Sequence, residues 1–251
     1  MTWKVFLASA TGKHHLDADT PCQDAAHHAQ VDDTFIGVVC DGAGSAAQGR
    51  QGAEFLARTV TEALAAALRG GCPARDLSSG DGSRLRAIVG AARDALEQLA
   101  QAQQGRLRDY ASTLVGCIGA PDSGCFFHIG DGFAVHRTEA GASVLSQPEN
   151  GEYSDETYFV TDTNWQEHLR VTQLPASPCG SLVGLMSDGT SPFAIDRART
   201  GFYGPFIDPV LRYLREAGEP DGNRALHEVL ASERTFAITG DDKTLLLALA
   251  A

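Results

Sequence analysis

The chain has 251 residues, 43% hydrophobic and 21% charged, which supplies one sizeable core and excludes wholesale disorder. A net charge of −12, with its basic residues scattered and Arg106 and Arg108 as the densest cluster, excludes nucleic acid and anionic membrane surfaces as expected partners. No stretch approaches the ~18 apolar residues of a membrane span.

Residues 3–9 read as a first strand, followed by a polar loop rich in histidine and aspartate from Thr11 to Asp33. The β-branched, apolar run 34–40 is a buried strand that ends in the glycine-rich turn Asp41–Gly44. Ala53, Leu56, Val60, Leu64 and Leu68 then recur at helical spacing, and Gly70, Gly71 and Pro73 end that helix. Ser83 is placed to cap a second helix whose face carries Leu85, Ile88, Val89, Ala92, Leu96 and Leu99. Strands are expected at 112–118, 124–129 and 133–137, and another at 181–187. Between them, about 146–180 reads as an irregular, flap-like insertion that Tyr153 and Trp165 pin to the body. Helical patterns cover 205–217 and 223–233, and 235–238 with 244–249 reads as a closing hairpin. The order predicts one α+β domain over 1–251, with helices grouped outside antiparallel sheets. The six cysteines include no Cys-x-x-Cys pair and read as reduced and buried, in a cytoplasmic protein.

Aspartate recurs at the ends of the apolar runs: Asp41, Asp131, Asp188 and the doublet Asp241-Asp242. Glycine follows the first three, so the backbone can turn tightly or approach an ion. One Asp-Gly pair is an ordinary turn, but several at strand ends face a common cleft. Carboxylates that converge repel one another and raise one another's pKa unless a cation sits between them. Hard divalent cations with oxygen ligands suit such a cluster.

Six short motifs stand in order along the chain. They are Cys22-Gln-Asp24, Val39-Cys-Asp-Gly-Ala-Gly-Ser45, Ser112-Thr-Leu114, His128-Ile-Gly-Asp131, Met186-Ser-Asp-Gly189 and Gly240-Asp-Asp-Lys-Thr244. In these the chain resembles the metal-dependent type 2C (PPM) serine/threonine protein phosphatases, in a bacterial subgroup whose members also carry a segment like Glu149-Asn-Gly-Glu-Tyr153. The resemblance implies a four-layer αββα sandwich of two antiparallel sheets flanked by helices, binding two or three Mn²⁺ or Mg²⁺ ions. It implies that Asp41 bridges two metals, that the carbonyl of Gly42 binds one of them, and that Asp188 and Asp241 complete the other. Asp131 would serve an outlying third metal, and Asp24 would orient metal-bound water. The implied reaction is hydrolysis of phosphoserine and phosphothreonine by a metal-bridging hydroxide. A phosphoprotein is the implied substrate, and a cognate Ser/Thr kinase or its targets the implied partner.

Two departures bear on the site. Gln23 stands where many relatives have glutamate, and the stretch Leu16–Pro21 lacks their phosphate-gripping arginine. Lys13, His14 and His15 are the residues at hand to replace it, with His15 the catalytic candidate, and the leaving alkoxide takes its proton from water or a nearby histidine. Two rival readings remain at this level: a non-catalytic phosphoprotein-binding regulator on the same fold, and a small-molecule phosphoester hydrolase.

Overall fold

Every strand pairing is antiparallel, in two five-stranded sheets, in a computed structural model that describes residues 1–78, 82–149 and 157–251. The first half runs β1 (Trp3–Ala10), α1 (Lys13–Asp17), β2 (Asp24–Val31), β3 (Thr34–Asp41), α2 (Gly49–Arg69), α3 (Ala74–Ser78), α4 (Ser83–Ala102), β4 (Leu114–Gly119) and β5 (Gly124–Ile129). The second runs β6 (Phe133–Arg137), β7 (Ser143–Ser146), α5 (Trp165–His168), β8 (Arg170–Leu174), β9 (Leu182–Met186), α6 (Ser191–Ala194), α7 (Gly204–Glu216), α8 (Glu219–Leu230), α9 (Glu233–Phe236) and β10 (Lys243–Ala250). One sheet has the order β1-β10-β9-β6-β7, the other β2-β3-β4-β5-β8.

The central strands show why their sequences read as unbroken apolar runs. Along β3, Ile36, Val38 and Cys40 pack with Leu56, Val60 and Leu64 of α2 and Leu85, Val89 and Leu96 of α4. The alternate residues Phe35 and Val39 pack with Val183, Leu185 and Leu246 of the other sheet. β10 repeats the pattern, with Leu245, Leu247 and Leu249 against α7 and α8 and Leu246 and Ala248 between the sheets. A strand covered on both faces has no solvent side, so polar alternation disappears. Each such leucine contributes roughly 1.5–3 kcal/mol of burial. The layers are therefore α2/α4, sheet, sheet and α7/α8, the expected αββα sandwich.

Several expectations change. The loop expected from Thr11 to Asp33 holds α1 and the whole of β2, an edge strand paired residue for residue with β3. Its sequence, Asp-Ala-Ala-His-His-Ala-Gln-Val, carries little β-branched signal, and its side chains are mostly half-buried, so register with β3 outweighs propensity. The closing hairpin is replaced by α9, because the Ser232 hydroxyl accepts from Thr235 N and caps a helical turn over 233–236. Helix α4 is entered through Gly82 at φ 73°, with Ser83 already inside the helix. In the 146–180 segment, α5 and β8 are regular, and β8 extends its sheet by pairing with β5. Trp165 is 5% exposed and faces Gly90 of α4, while Tyr153 lies outside the described residues. Of the cysteines, all without disulfides, Cys40, Cys117 and Cys125 are buried, Cys22 and Cys72 are half-buried, and Cys179 is exposed.

Candidate active site

Strand register carries the aspartates to one end of the sandwich. Asp24 opens β2 directly across from Asp41, the last residue of β3. Phe133, the first residue of β6, pairs with Met186, the last of β9, and Asp131 and Asp188 lie two residues beyond that pair, before β6 and after β9. Asp241 does not follow a strand. It lies two residues before β10, but β10 runs antiparallel to β9, so the start of one meets the end of the other.

Asp41, Asp131 and Asp188 each offer a carboxylate oxygen within 4.8 Å of the others. They share a cavity of about 450 Å³ with Asp241, Gln23 and His15. Oδ1 of Asp131 and Oδ1 of Asp188 are buried with no hydrogen-bond partner among the described residues. Buried carboxylate oxygens normally find donors. Hard oxygen atoms left open toward a shared point fit a divalent cation of the Mg²⁺ or Mn²⁺ kind.

The electrostatics agree. Burial, reinforced by Asp24, Asp188, Asp131 and Asp241, pushes the Asp41 carboxyl well above its ordinary range. Asp188 rises to about 6 through burial and the nearby Asp131 and Asp241. Asp24 rises to about 7, mainly through burial, with the hydrogen bond from Ser187 pulling the other way and Asp242 and Asp188 adding to the rise.

The surroundings hold these acids in place. Asp41 N donates to Thr113 Oγ1 at 3.0 Å, and Thr113 N donates to Asp41 O at 2.9 Å. Gly42 lies against the first turn of α2, where any Cβ would strike the backbone of Gly49. Gly189 lies equally close to the Asp242 backbone, which explains glycine after Asp188. Asp24 is 7% exposed, accepts from Ser187 Oγ at 2.7 Å and lies outside the cavity lining, where its neighbour Gln23 faces instead.

Four participants were not singled out in the sequence. Asp242 is 3% exposed and accepts from Gly12 N and Gln23 N, both at 2.6 Å, and meets His15 Nδ1 at 2.8 Å. It is the clamp that holds α1 and the start of β2 at the cavity rim, and the Asp-Asp doublet was its one visible signal. Ser187 joins Asp24 to Thr244 N. Thr113, which stood in the sequence only as the middle of the Ser112-Thr-Leu114 motif, holds the Asp41 backbone. Thr157 Oγ1 donates to Asp131 Oδ2 at 2.6 Å, a contact no sequence motif announces.

A sandwich with a carboxylate cluster at one end of its sheets is the arrangement of a metal-dependent phosphohydrolase. The protein phosphatase 2C family profile matches residues 11–231, and the chain belongs to that family. It is 30% identical to serine/threonine-protein phosphatase 3 of Escherichia coli (strain K12) over 99% of both chains. The fold is also that of the serine/threonine phosphatase Stp1 from Staphylococcus aureus, with a TM-score of 0.64 at 15% identity, covering 100% of this chain and 96% of that one. RsbX, solved in complex with magnesium, superposes with a TM-score of 0.56 at 11% identity, covering 99% of this chain and 96% of that one. No helix among the described residues is long and apolar enough to cross a membrane.

Proposed function

We propose that this chain is a serine/threonine protein phosphatase that works with two or three Mn²⁺ or Mg²⁺ ions and acts on phosphoproteins in the cytoplasm, opposing a cognate kinase. The observation that carries the reading is the convergence of Asp41, Asp131 and Asp188, two of which keep a buried carboxylate oxygen without a hydrogen-bond partner among the described residues. Membership of the family and the serine/threonine specificity in the name of the Escherichia coli relative support the substrate class. The magnesium named for RsbX supports the metal class.

Asp41, Asp131, Asp188, Asp241 and the Gly42 carbonyl are the groups that would hold the cations. Bound cations would supply Lewis-acid activation of water near neutral pH and offset charge on the phosphoryl oxygens. The remaining work falls to the chain. The Asp242 carboxylate fixes the His15 imidazole through Nδ1, and Nε2 makes no hydrogen bond among the described residues. That arrangement orients Nε2 to give a proton to the departing serine or threonine oxygen. Asp24, paired across from Asp41 and itself held by Ser187, adds to the repulsion that a bound cation would relieve. Thr113 keeps the Asp41 backbone from shifting as charge moves.

The test is hydrolysis of phosphoserine and phosphothreonine peptides with Mn²⁺, with chelator, and with an Asp41→Asn variant. Turnover that needs the cation and falls by about 10³-fold in the variant is expected. Phosphopeptides ignored while a small phosphoester is cleaved would replace this reading with a metabolite hydrolase. Phosphopeptide binding without turnover under any cation would replace it with a regulator.

A further inference from the structure

Residues 157–162 make a set of contacts that the catalytic reading does not use. Val160 is fully buried, and its N–H donates to Ser112 O at 2.9 Å. Arg93 of α4 reaches across to donate Nε to Val160 O at 3.1 Å and Nη2 to Thr161 O at 3.4 Å. Phe159 N donates to Asp162 Oδ2 at 2.8 Å, and Phe159 lines the aspartate cavity. Ser112 is in turn bridged to Gly42 and precedes Thr113, which holds Asp41. At the head of the segment, Thr157 Oγ1 donates to Asp131 Oδ2. Asp131 therefore has one oxygen held by Thr157 and the other, Oδ1, buried without a hydrogen-bond partner among the described residues, on a carboxylate that comes within 4.8 Å of those of Asp41 and Asp188.

We infer that Thr157 is a positioning residue that aims Asp131 Oδ1 into the cluster, so that cation binding at Asp131 and docking of residues 157–162 are thermodynamically linked. The inference rests on the metal reading above and deepens it. A carboxylate on a loop rotates freely, and one oxygen pinned by a 2.6 Å hydrogen bond fixes the direction of the other. Partners of this kind typically change metal affinity by about 10–100-fold. Linkage runs both ways. A cation that binds better when Asp131 is pinned must also favour the docked segment by the same factor. The Arg93 and Ser112 contacts make the segment a body that docks as a unit, because they fasten its backbone on either side of the buried Val160 side chain.

The experiment is Mn²⁺ titration of the cation-free full chain by calorimetry and by electron paramagnetic resonance, with amide hydrogen exchange of Val160 followed alongside. Thr157→Val, which keeps the shape and removes the hydroxyl, is expected to weaken one Mn²⁺ equivalent by about 10-fold and leave the others unchanged. Thr157→Ser is expected to bind within about twofold of wild type, because the hydroxyl returns. Mn²⁺ is expected to slow Val160 exchange in wild type and to slow it less in Thr157→Val. In an Asp131→Asn background, Thr157→Val adds no further loss. The inference is overturned if Thr157→Val binds every equivalent as wild type does. It is overturned equally if Thr157→Val loses affinity at all equivalents alike, or if Thr157→Ser loses as much as Thr157→Val. Wild-type protein that takes up no Mn²⁺ would overturn the metal reading itself and this inference with it.

Discussion

The two ends of the sandwich carry cavities of similar size, about 450 Å³ among the aspartates and about 490 Å³ where Lys4, Arg137, Glu139, Asp208 and Arg215 meet. Their charges are settled differently. At the second end Arg137 Nη1 pairs with Asp208 Oδ1 at 3.2 Å, and Lys4 Nζ donates to the carbonyls of Arg215 and Ala217. Cations and anions are mixed there, and one of each is joined in the Arg137–Asp208 pair. At the first end Asp24, Asp41, Asp131, Asp188, Asp241 and Asp242 gather, His15 is hydrogen-bonded to Asp242, and Lys243 lies nearby. Lys243 Nζ sits over the Phe236 ring and donates to the Asp241 carbonyl. An end whose charges cancel needs nothing from outside. An end that stores repulsion among half-buried carboxylates would be completed by a cation.

The largest effect that would break this contrast is at Asp188. Asp188→Asn is expected to lower phosphopeptide turnover by about 10³-fold. In the same variant the cation-free protein is expected to become more stable by about 1–2 kcal/mol, because a carboxyl held near 6 no longer has to ionise among its neighbours. Urea denaturation in chelator measures the second part, and a destabilised variant would show that the cluster stores no repulsion.

An intermediate effect is the pH dependence of stability. Asp24 near 7 and Asp188 near 6 are both raised from an ordinary 3.8, so the folded state holds protons that the unfolded chain has released. The stability they contribute is whole below about pH 4 and is lost as pH rises through those two values. The Tm of cation-free protein is therefore expected to fall between about pH 5 and about pH 8, and saturating Mn²⁺ to remove the fall. A Tm that rises over this window without cation would contradict the assignment.

The smallest effect lies at the opposite end. Arg137→Ala breaks an ion pair whose aspartate is 58% exposed, so it should cost under about 1 kcal/mol and leave turnover unchanged. A loss of activity there would show that the two ends are coupled.

Much of this contrast was legible in the sequence, because Asp41, Asp131 and Asp188 each follow an apolar run with glycine behind it. A strand buried on both faces announces its ends, and the α+β order follows from where those runs and the two leucine stripes fall, while the four-layer αββα arrangement was implied by the family resemblance. Asp241 was legible as a residue but not by its route, since Thr-Phe-Ala-Ile reads as a strand until Ser232 caps it as a helix. β2 was hidden because alanine and histidine at a half-buried edge give no period. Asp242 and Thr157 were hidden for a different reason. Their roles consist of hydrogen bonds to partners distant in the chain, Gly12, His15 and Gln23 for one and Asp131 for the other, and local pattern holds no trace of such pairings.

The central claim is that the aspartate end is completed by cations, and anomalous diffraction from Mn²⁺-soaked crystals tests it most directly. At least two manganese peaks are predicted in the cavity, with Asp41 contacting both and Asp188 and Asp241 contacting one. An empty cavity at saturating Mn²⁺, or manganese bound only elsewhere on the acidic surface, would contradict it.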